Sequence, residues 1–228
     1  DLTKRLQVNT NDEIAEMVPS TIQLTIAAEL VAVLGGLFLG ILAAVVKQPG
    51  LQTVITTVSL IGLSMPVFWS GLIFILVFSL TLGIFPIKAE GIKGLVLPAV
   101  TLGLPAMAVI TRMTRSSVLE ELGRDYIRTA RSKGLKEFII LIRHALKNAF
   151  IPVITIIGLQ FGGLLSGAFI TETVFARPGL GRFTVKAIMS RDFPQVQGTI
   201  LLIALIYVFV NLLTDLTYAV FDPRIRYD

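Results

Sequence analysis

The chain has 228 residues, 54% of them hydrophobic and only 15% charged, with mean hydropathy +0.81 and a net charge of +5. Soluble domains carry about 25% charged residues, so the composition excludes a soluble globular protein and indicates an integral membrane protein in a lipid bilayer. With no cysteine and a single histidine, His144, disulfides, cysteine metal sites and multi-histidine sites are excluded, and no bound metal is expected.

A helical span needs about 20 mostly apolar residues. Residues 1–20 are too polar and read as an extracytoplasmic segment; the chain starts at Asp1 without a cleavable signal pattern, so a true start further upstream is expected. The first span covers about 21–46, between "NTNDEIAEMVPS" and "KQPG". The second covers about 53–85 and contains "GLSMPVFW", where Pro66 lacks an N–H and predicts a kink or break. The third starts near residue 95, meets Arg112 and Arg115, and extends to about 118, its helix continuing out of the bilayer through Leu122. The fourth covers about 149–170 and the fifth about 196–221. The fold expected is an all-α, polytopic membrane bundle over 21–228, without an internal repeat.

Nine of the 20 basic residues fall between the third and fourth spans, which places that loop in the cytoplasm. The net charge is thereby explained by orientation, and no nucleic-acid partner is expected. Arg177, Arg182, Lys186 and Arg191 in the last outer loop run against this bias.

The cytoplasmic stretch of about 122–148 is unusual. Residues 116–133 are good helix material, Gly134 interrupts them, and a second helix is expected from Leu135. Phe138, Ile139, Leu141, Ile142 and Leu146 are spaced as one apolar helix face. The result is a knob of helix, glycine turn and helix. It fits either a connector resting on anionic headgroups or a docking surface for a cytoplasmic partner.

Other residues stand out. Ionisable groups inside a membrane are costly and functional by default; Glu29 and Asp215 are the two, each open to a role in an aqueous path or in packing. Pro66, Phe68, Trp69, Gln160 and Asn211 are further candidates for a path or gate. Gly158, Gly162 and Ser166 recur every fourth residue, with Gly163 and Gly167 beside them, which favours close helix packing. No phosphate-binding loop of the form G-x-x-x-x-G-K-[ST] occurs, so the chain is not itself an ATPase. "PGLGRF" at 178–183 is read as an outer turn and short helix, or as a plain surface loop.

"YIRTARSKGL" followed by "RHALKNAFIPVIT" resembles the coupling segment of ATP-binding-cassette importer permeases. The branch is the dipeptide/oligopeptide/nickel permease family, first (B-type) subunit. The generic signature, Glu-Ala-Ala, three residues, then Gly, is replaced here by Arg128, Thr129 and Ala130 before Gly134. The peptide-branch form is matched by Thr129, Ala130, Arg131, Lys133, Gly134 and Leu135. Further matches are "VPSTIQLTIAAE", "SLIGLSMPVFW", "LPAVTLGLPAMAVITRMTRSSVLEEL", "ETVFARPGLGRFTVKAIMSRDFP" and "NLLTDLTYAVFDPRIRY", in this order along the whole chain.

The resemblance implies a type I importer permease fold with six spans in the full subunit, one of them upstream. It implies a multi-pass protein of a prokaryotic cytoplasmic membrane that carries peptides or a related solute such as a nickel complex. Its partners would be a homologous C-type permease, two cytoplasmic ATPases and an extracytoplasmic solute-binding protein. ATP and Mg would belong to the ATPases, with no cofactor in this chain. Arg128, Arg131 and Lys133 would face acids on an ATPase, and Glu172, Phe175, Pro178, Gly179 and Gly181 would form an outer loop near the pore mouth. A gradient-driven transporter or channel is the alternative, and an intramembrane enzyme a third reading, for which no catalytic set is present.

Overall fold

The computed structural model describes the backbone of residues 2–87 and 91–221, and the side chains of residues 16–87 and 91–213. Among the described residues every regular element is helical. Helix α1 (Leu2–Val45) runs without interruption through Pro19, so the polar stretch before the first span continues its helix instead of forming a separate loop. Helix α2 (Pro49–Ser64) ends at Met65–Pro66, and α3 (Val67–Phe74) restarts beyond the proline, whose backbone is extended (φ −60, ψ 135). The break bends the pair by 109°. Pro66 explains the stop: it offers no N–H to the preceding turn and biases Met65 away from helical angles. The last turns of this segment, Ile75–Thr81, are π-wound.

Helix α4 (Gly91–Leu122) is followed by α5 (Asp125–Ser132), the short α6 (Glu137–Ile139) with its π-wound continuation Ile140–Ala145, α7 (Leu146–Val174), α8 (Leu180–Met189) and α9 (Phe193–Phe221). Among the described residues four helices are long and apolar enough to cross a membrane, or five spans if α2 and α3 together count as one. Leu34, Phe38, Leu201 and Val208 are each more than 60% exposed on this single chain. Such surfaces suit lipid or neighbouring helices, because hydrogen-bonded helix backbones leave only apolar side chains to face hydrocarbon.

The chain forms two compact units. The first comprises residues 1–30, 65–103 and 161–213; the second comprises 31–64, 104–160 and 214–228. In the first, Leu97 and Phe175 form a core with Phe74, Ile75, Phe78, Phe85 and Val174 around them, and Phe74 meets Phe78 edge-on at 5.8 Å. In the second, Gly36 and Gly40 let α1 approach α4. A Cβ at Gly36 would lie 2.7 Å from Ile110 Cβ, and one at Gly40 2.5 Å from Thr114 Cβ. Small residues four apart bring two backbones together in this way.

Candidate functional site

The second unit carries the knob. Helix α5 opens with Asp125 and ends in a glycine stop. Gly134 has φ +77, its N–H donates to the Arg131 carbonyl at 2.9 Å, and the Leu135 N–H donates to the Ala130 carbonyl at 3.3 Å. These two bonds make a Schellman motif with Gly134 in its left-handed position. The chain then runs extended through Lys136 (ψ 140) and enters α6 at Glu137, two residues later than the sequence suggests.

The knob has its own core of Ile127, Ala130, Ile140 and Ala145, flanked by Leu122 and Leu141. A neighbouring cluster joins Ala44, Val118 and Ala149 with Leu122, Leu141 and Leu146. The apolar face expected from 3.6-residue spacing is divided: Leu141 and Leu146 pack against these clusters, while Phe138, Ile139 and Ile142 stay at the surface. Over Ile140–Ala145 the helix is π-wound, with Leu146 N–H bonded to Leu141 O, so residues five apart share a side. Ile140 and Ala145 turn inward, whereas Phe138 and Ile142 turn out, at 72% and 50% exposure.

The basic residues are partly engaged within the knob. The Arg131 guanidinium donates to both Glu137 carboxylate oxygens, from Nε at 2.8 Å and from Nη2 at 3.2 Å. That hydrogen bond holds the Arg131 pKa above its ordinary value. Arg128 lies 3.5 Å from Asp125, and Arg124 2.7 Å from Glu120. Tyr126 donates its phenolic hydrogen to Glu121 and accepts from Asn148 Nδ2 at 3.2 Å. Burial first, and the Glu121 contact second, push the Tyr126 pKa up. Of the seven coupling candidates, Arg128, Thr129, Arg131, Lys133, Gly134 and Leu135 lie at the surface. Ala130 does not: it is 7% exposed and belongs to the knob's core.

The first unit carries a second arrangement that the sequence did not suggest. Glu172, fully buried near the end of α7, accepts the hydroxyl hydrogen of Thr21 at 2.6 Å on one oxygen. Its other oxygen accepts the N–H groups of Gly181 at 2.8 Å and Arg182 at 3.3 Å. The Thr21 hydroxyl oxygen in turn accepts the Leu180 N–H at 2.9 Å. Two side chains remote in sequence thus satisfy the free N–H groups that open α8, where a negative charge is also favoured.

Gly179 and Gly181 are required by space. A Cβ on either would come within 2.2 Å of Glu172 or Phe169 respectively. Arg177 is buried beside this clamp and reaches Gln23 Oε1 at 3.4 Å; burial pushes its pKa down and the Glu172 charge opposes that. The plain-surface-loop reading of this segment is corrected, because of the five outer-loop candidates Glu172, Phe175, Gly179 and Gly181 are buried and Pro178 alone is exposed. Thr21 was the residue overlooked; a hydroxyl directly after "PS" at the start of the first span was its only signal.

Among the described residues no side-chain hydrogen bond or ion pair joins one candidate path residue to another. Both Glu29 carboxylate oxygens are buried without a hydrogen-bond partner among the described residues. Pro66, Phe68 and Trp69 are exposed around the start of α3, and Gln160 is half-buried. Asn211 is half-buried, and a Cβ on Gly162 would sit 2.9 Å from its Oδ1. The side chain of Asp215 lies outside the described residues. Among the described residues no group of three or more His, Cys, Asp or Glu could hold a metal.

Comparison with known proteins identifies what this architecture is similar to. The "Dipeptide transport system permease protein DppB" of Haemophilus influenzae is 44% identical over 243 residues, covering 94% of this chain and 73% of that protein. The "Di/tripeptide transport system permease protein DppB" of Pseudomonas aeruginosa is 41% identical, with the same coverage. Among solved structures, an amino acid ABC transporter aligns with TM-score 0.73 at 18% identity, over 96% of this chain and 97% of that one. An inward-facing MetNI methionine ABC transporter aligns with TM-score 0.76 at 16% identity, over 91% and 95%. These two likenesses carry the fold, that of type I importer permeases. Residues 36–227 match the family described as "Binding-protein-dependent transport system inner membrane component", and the chain belongs to that family.

Proposed function

We propose that this chain is the B-type permease subunit of an ATP-driven importer for di- and oligopeptides or a related solute such as a nickel complex. It forms part of the translocation path in a prokaryotic cytoplasmic membrane. ATP is hydrolysed by two partner ATPases, which hold the nucleotide and Mg, while a C-type permease completes the path and an extracytoplasmic binding protein delivers solute. The family match and the peptide-transport names of relatives at 41–44% identity support the solute class.

The observation that carries the mechanism is the knob. It is a helix–turn–helix whose inner face is closed by a core of Ile127, Ala130, Ile140 and Ala145, while Phe138, Ile142 and Leu135 remain exposed. Exposed apolar side chains on a rigid, basic support suit insertion into a groove of another protein. Rim ion pairs contribute little, and the engagement of Arg131 with Glu137 further lowers its availability, so apolar contact and shape dominate the docking. Nucleotide-driven closure of the ATPases would then be transmitted through α5, α6 and α7 to the spans.

The test is uptake into proteoliposomes that contain both permeases, both ATPases and the binding protein. Labelled dialanine should accumulate with ATP inside the ATPase compartment and not with a proton or sodium gradient alone. Accumulation driven by a gradient without ATP would establish the secondary-transporter reading instead.

A further inference from the structure

The second unit contains a cavity of about 490 Å³ that the transport reading does not explain. It is lined by Thr56 and Ser59 of α2, Arg112, Arg115 and Ser116 of α4, and Ile156 of α7, among others. Arg112 and Arg115 are three residues apart on one helix and so share a side. Among the described residues neither guanidinium has an ion pair, and the Arg115 Nε is buried without a hydrogen-bond partner. Such a donor is costly to leave unmade.

The remaining polar wall consists of neutral hydroxyls. Thr56, Ser59 and Thr111 donate their hydroxyl hydrogens to their own helices, at the carbonyls of Gln52, Ile55 and Met107, and none of these or Ser116 is hydrogen-bonded to either arginine among the described residues. Among the described residues no carboxylate lines the cavity. The Arg115 guanidinium, with its buried Nε, and that of the exposed Arg112 thus line a partly open cavity of small-molecule size, with positive charge and no counter-charge among the described residues.

We infer that Arg112 and Arg115 form an oxyanion-binding site that accepts a carboxylate or phosphate group. Guanidinium groups are suited to it because their planar N–H pairs match both anions and stay charged at every accessible pH. The anion comes from one of two sources. One is the carboxylate of a peptide-like solute; the other is the phosphate of an anionic lipid, for which basic pockets between spans are a known kind of receptor. The inference concerns the chemistry of this wall and does not depend on the solute assigned above.

The test uses the complete permease–ATPase complex in a non-ionic detergent, with thermal unfolding as the readout, since a ligand bound to the folded state raises the midpoint. Two matched pairs of probes are titrated: dihexanoyl phosphatidylglycerol against dihexanoyl phosphatidylcholine, and N-acetyl-dialanine against its C-terminal amide. The native complex should be stabilised by the anionic member of at least one pair and not by the neutral one. Arg112→Gln with Arg115→Gln should weaken that binding at least tenfold, and the two Arg→Lys changes together should retain part of it. If the double variant does not assemble, Arg112→Gln alone, at an exposed position, should weaken binding at least threefold. Preference for phosphatidylglycerol identifies a lipid site, and preference for the peptide a solute site. No anion preference in the native complex, or equal binding in the glutamine variants, overturns the inference.

Discussion

Thr21 and Glu172 are 151 residues apart in the chain and 2.6 Å apart in the fold, and together they receive three backbone N–H groups at the start of α8. The carboxylate is buried and its hydrogen bonds are charge-assisted, the stronger class. Replacing it leaves donors unsatisfied, which costs about 1–3 kcal/mol for a buried group.

Glu172→Gln should therefore destabilise the first unit by about 1–3 kcal/mol, because its amide presents N–H where acceptors are needed. Thr21→Val should cost about 1 kcal/mol, and the double variant less than the sum, since the two share one network. Thermal unfolding of the purified complex measures the energies. Trypsin cleavage at Arg177 and Arg182 should accelerate in Glu172→Gln as α8 loosens.

Glycines on α7 and around α8 should separate sharply. Gly181→Ala drives a methyl to within 2.2 Å of the Phe169 Cα, a backbone atom that cannot turn aside. Overpacking of this kind costs about 1–3 kcal/mol or more, and the variant should assemble poorly. Gly163→Ala meets nothing within 4 Å and should leave assembly unchanged. Yields of intact complex after membrane extraction compare the two.

Much of this arrangement was legible in the sequence, and the exceptions have physical causes. Hydropathy locates the apolar helices because each must satisfy its own backbone in lipid. Pro66 and Gly134 mark interruptions through angles and donors that other residues would not need or lack. Gly36 and Gly40, four apart like Gly158 and Gly162, were not singled out in the sequence, although they set the approach of α1 to α4. The π-wound stretch Ile140–Ala145 left no mark: helical periodicity picked out Leu141 and Leu146, which do pack against the clusters, and missed the buried Ile140 and Ala145. The Thr21–Glu172 pairing was equally silent, because nothing local in either segment names its partner.

Gly134 offers a backbone test free of packing effects, since a Cβ there would meet nothing within 4 Å. Its left-handed φ makes Gly134→Ala cost about 1–2 kcal/mol, and Gly134→Asn should cost less because Asn tolerates that region better. Hydrogen exchange at the amides of Leu135 and Lys133 should quicken in the alanine variant and remain closer to native in the asparagine variant.

Tyr126 links α5 to Glu121 and Asn148. Its pKa is raised, so the neutral phenol is the form the fold prefers, and the contribution is lost as pH rises through the folded pKa, above the model-peptide value of about 10. Ultraviolet titration should show one late-ionising tyrosine that disappears in Tyr126→Phe. Removal of the hydroxyl should cost about 1 kcal/mol.

The central claim is that the exposed apolar face of the knob holds the ATPase. Phe138 is its most exposed large side chain at 72% and lies outside the knob's core, so changing it spares the fold. The direct measurement is co-purification of the ATPases, in mild detergent, with the native chain, Phe138→Leu and Phe138→Asp. The account predicts full ATPase recovery with the native chain and Phe138→Leu, and at least tenfold less with Phe138→Asp, while the C-type permease is retained by all three. Full recovery with Phe138→Asp would contradict it.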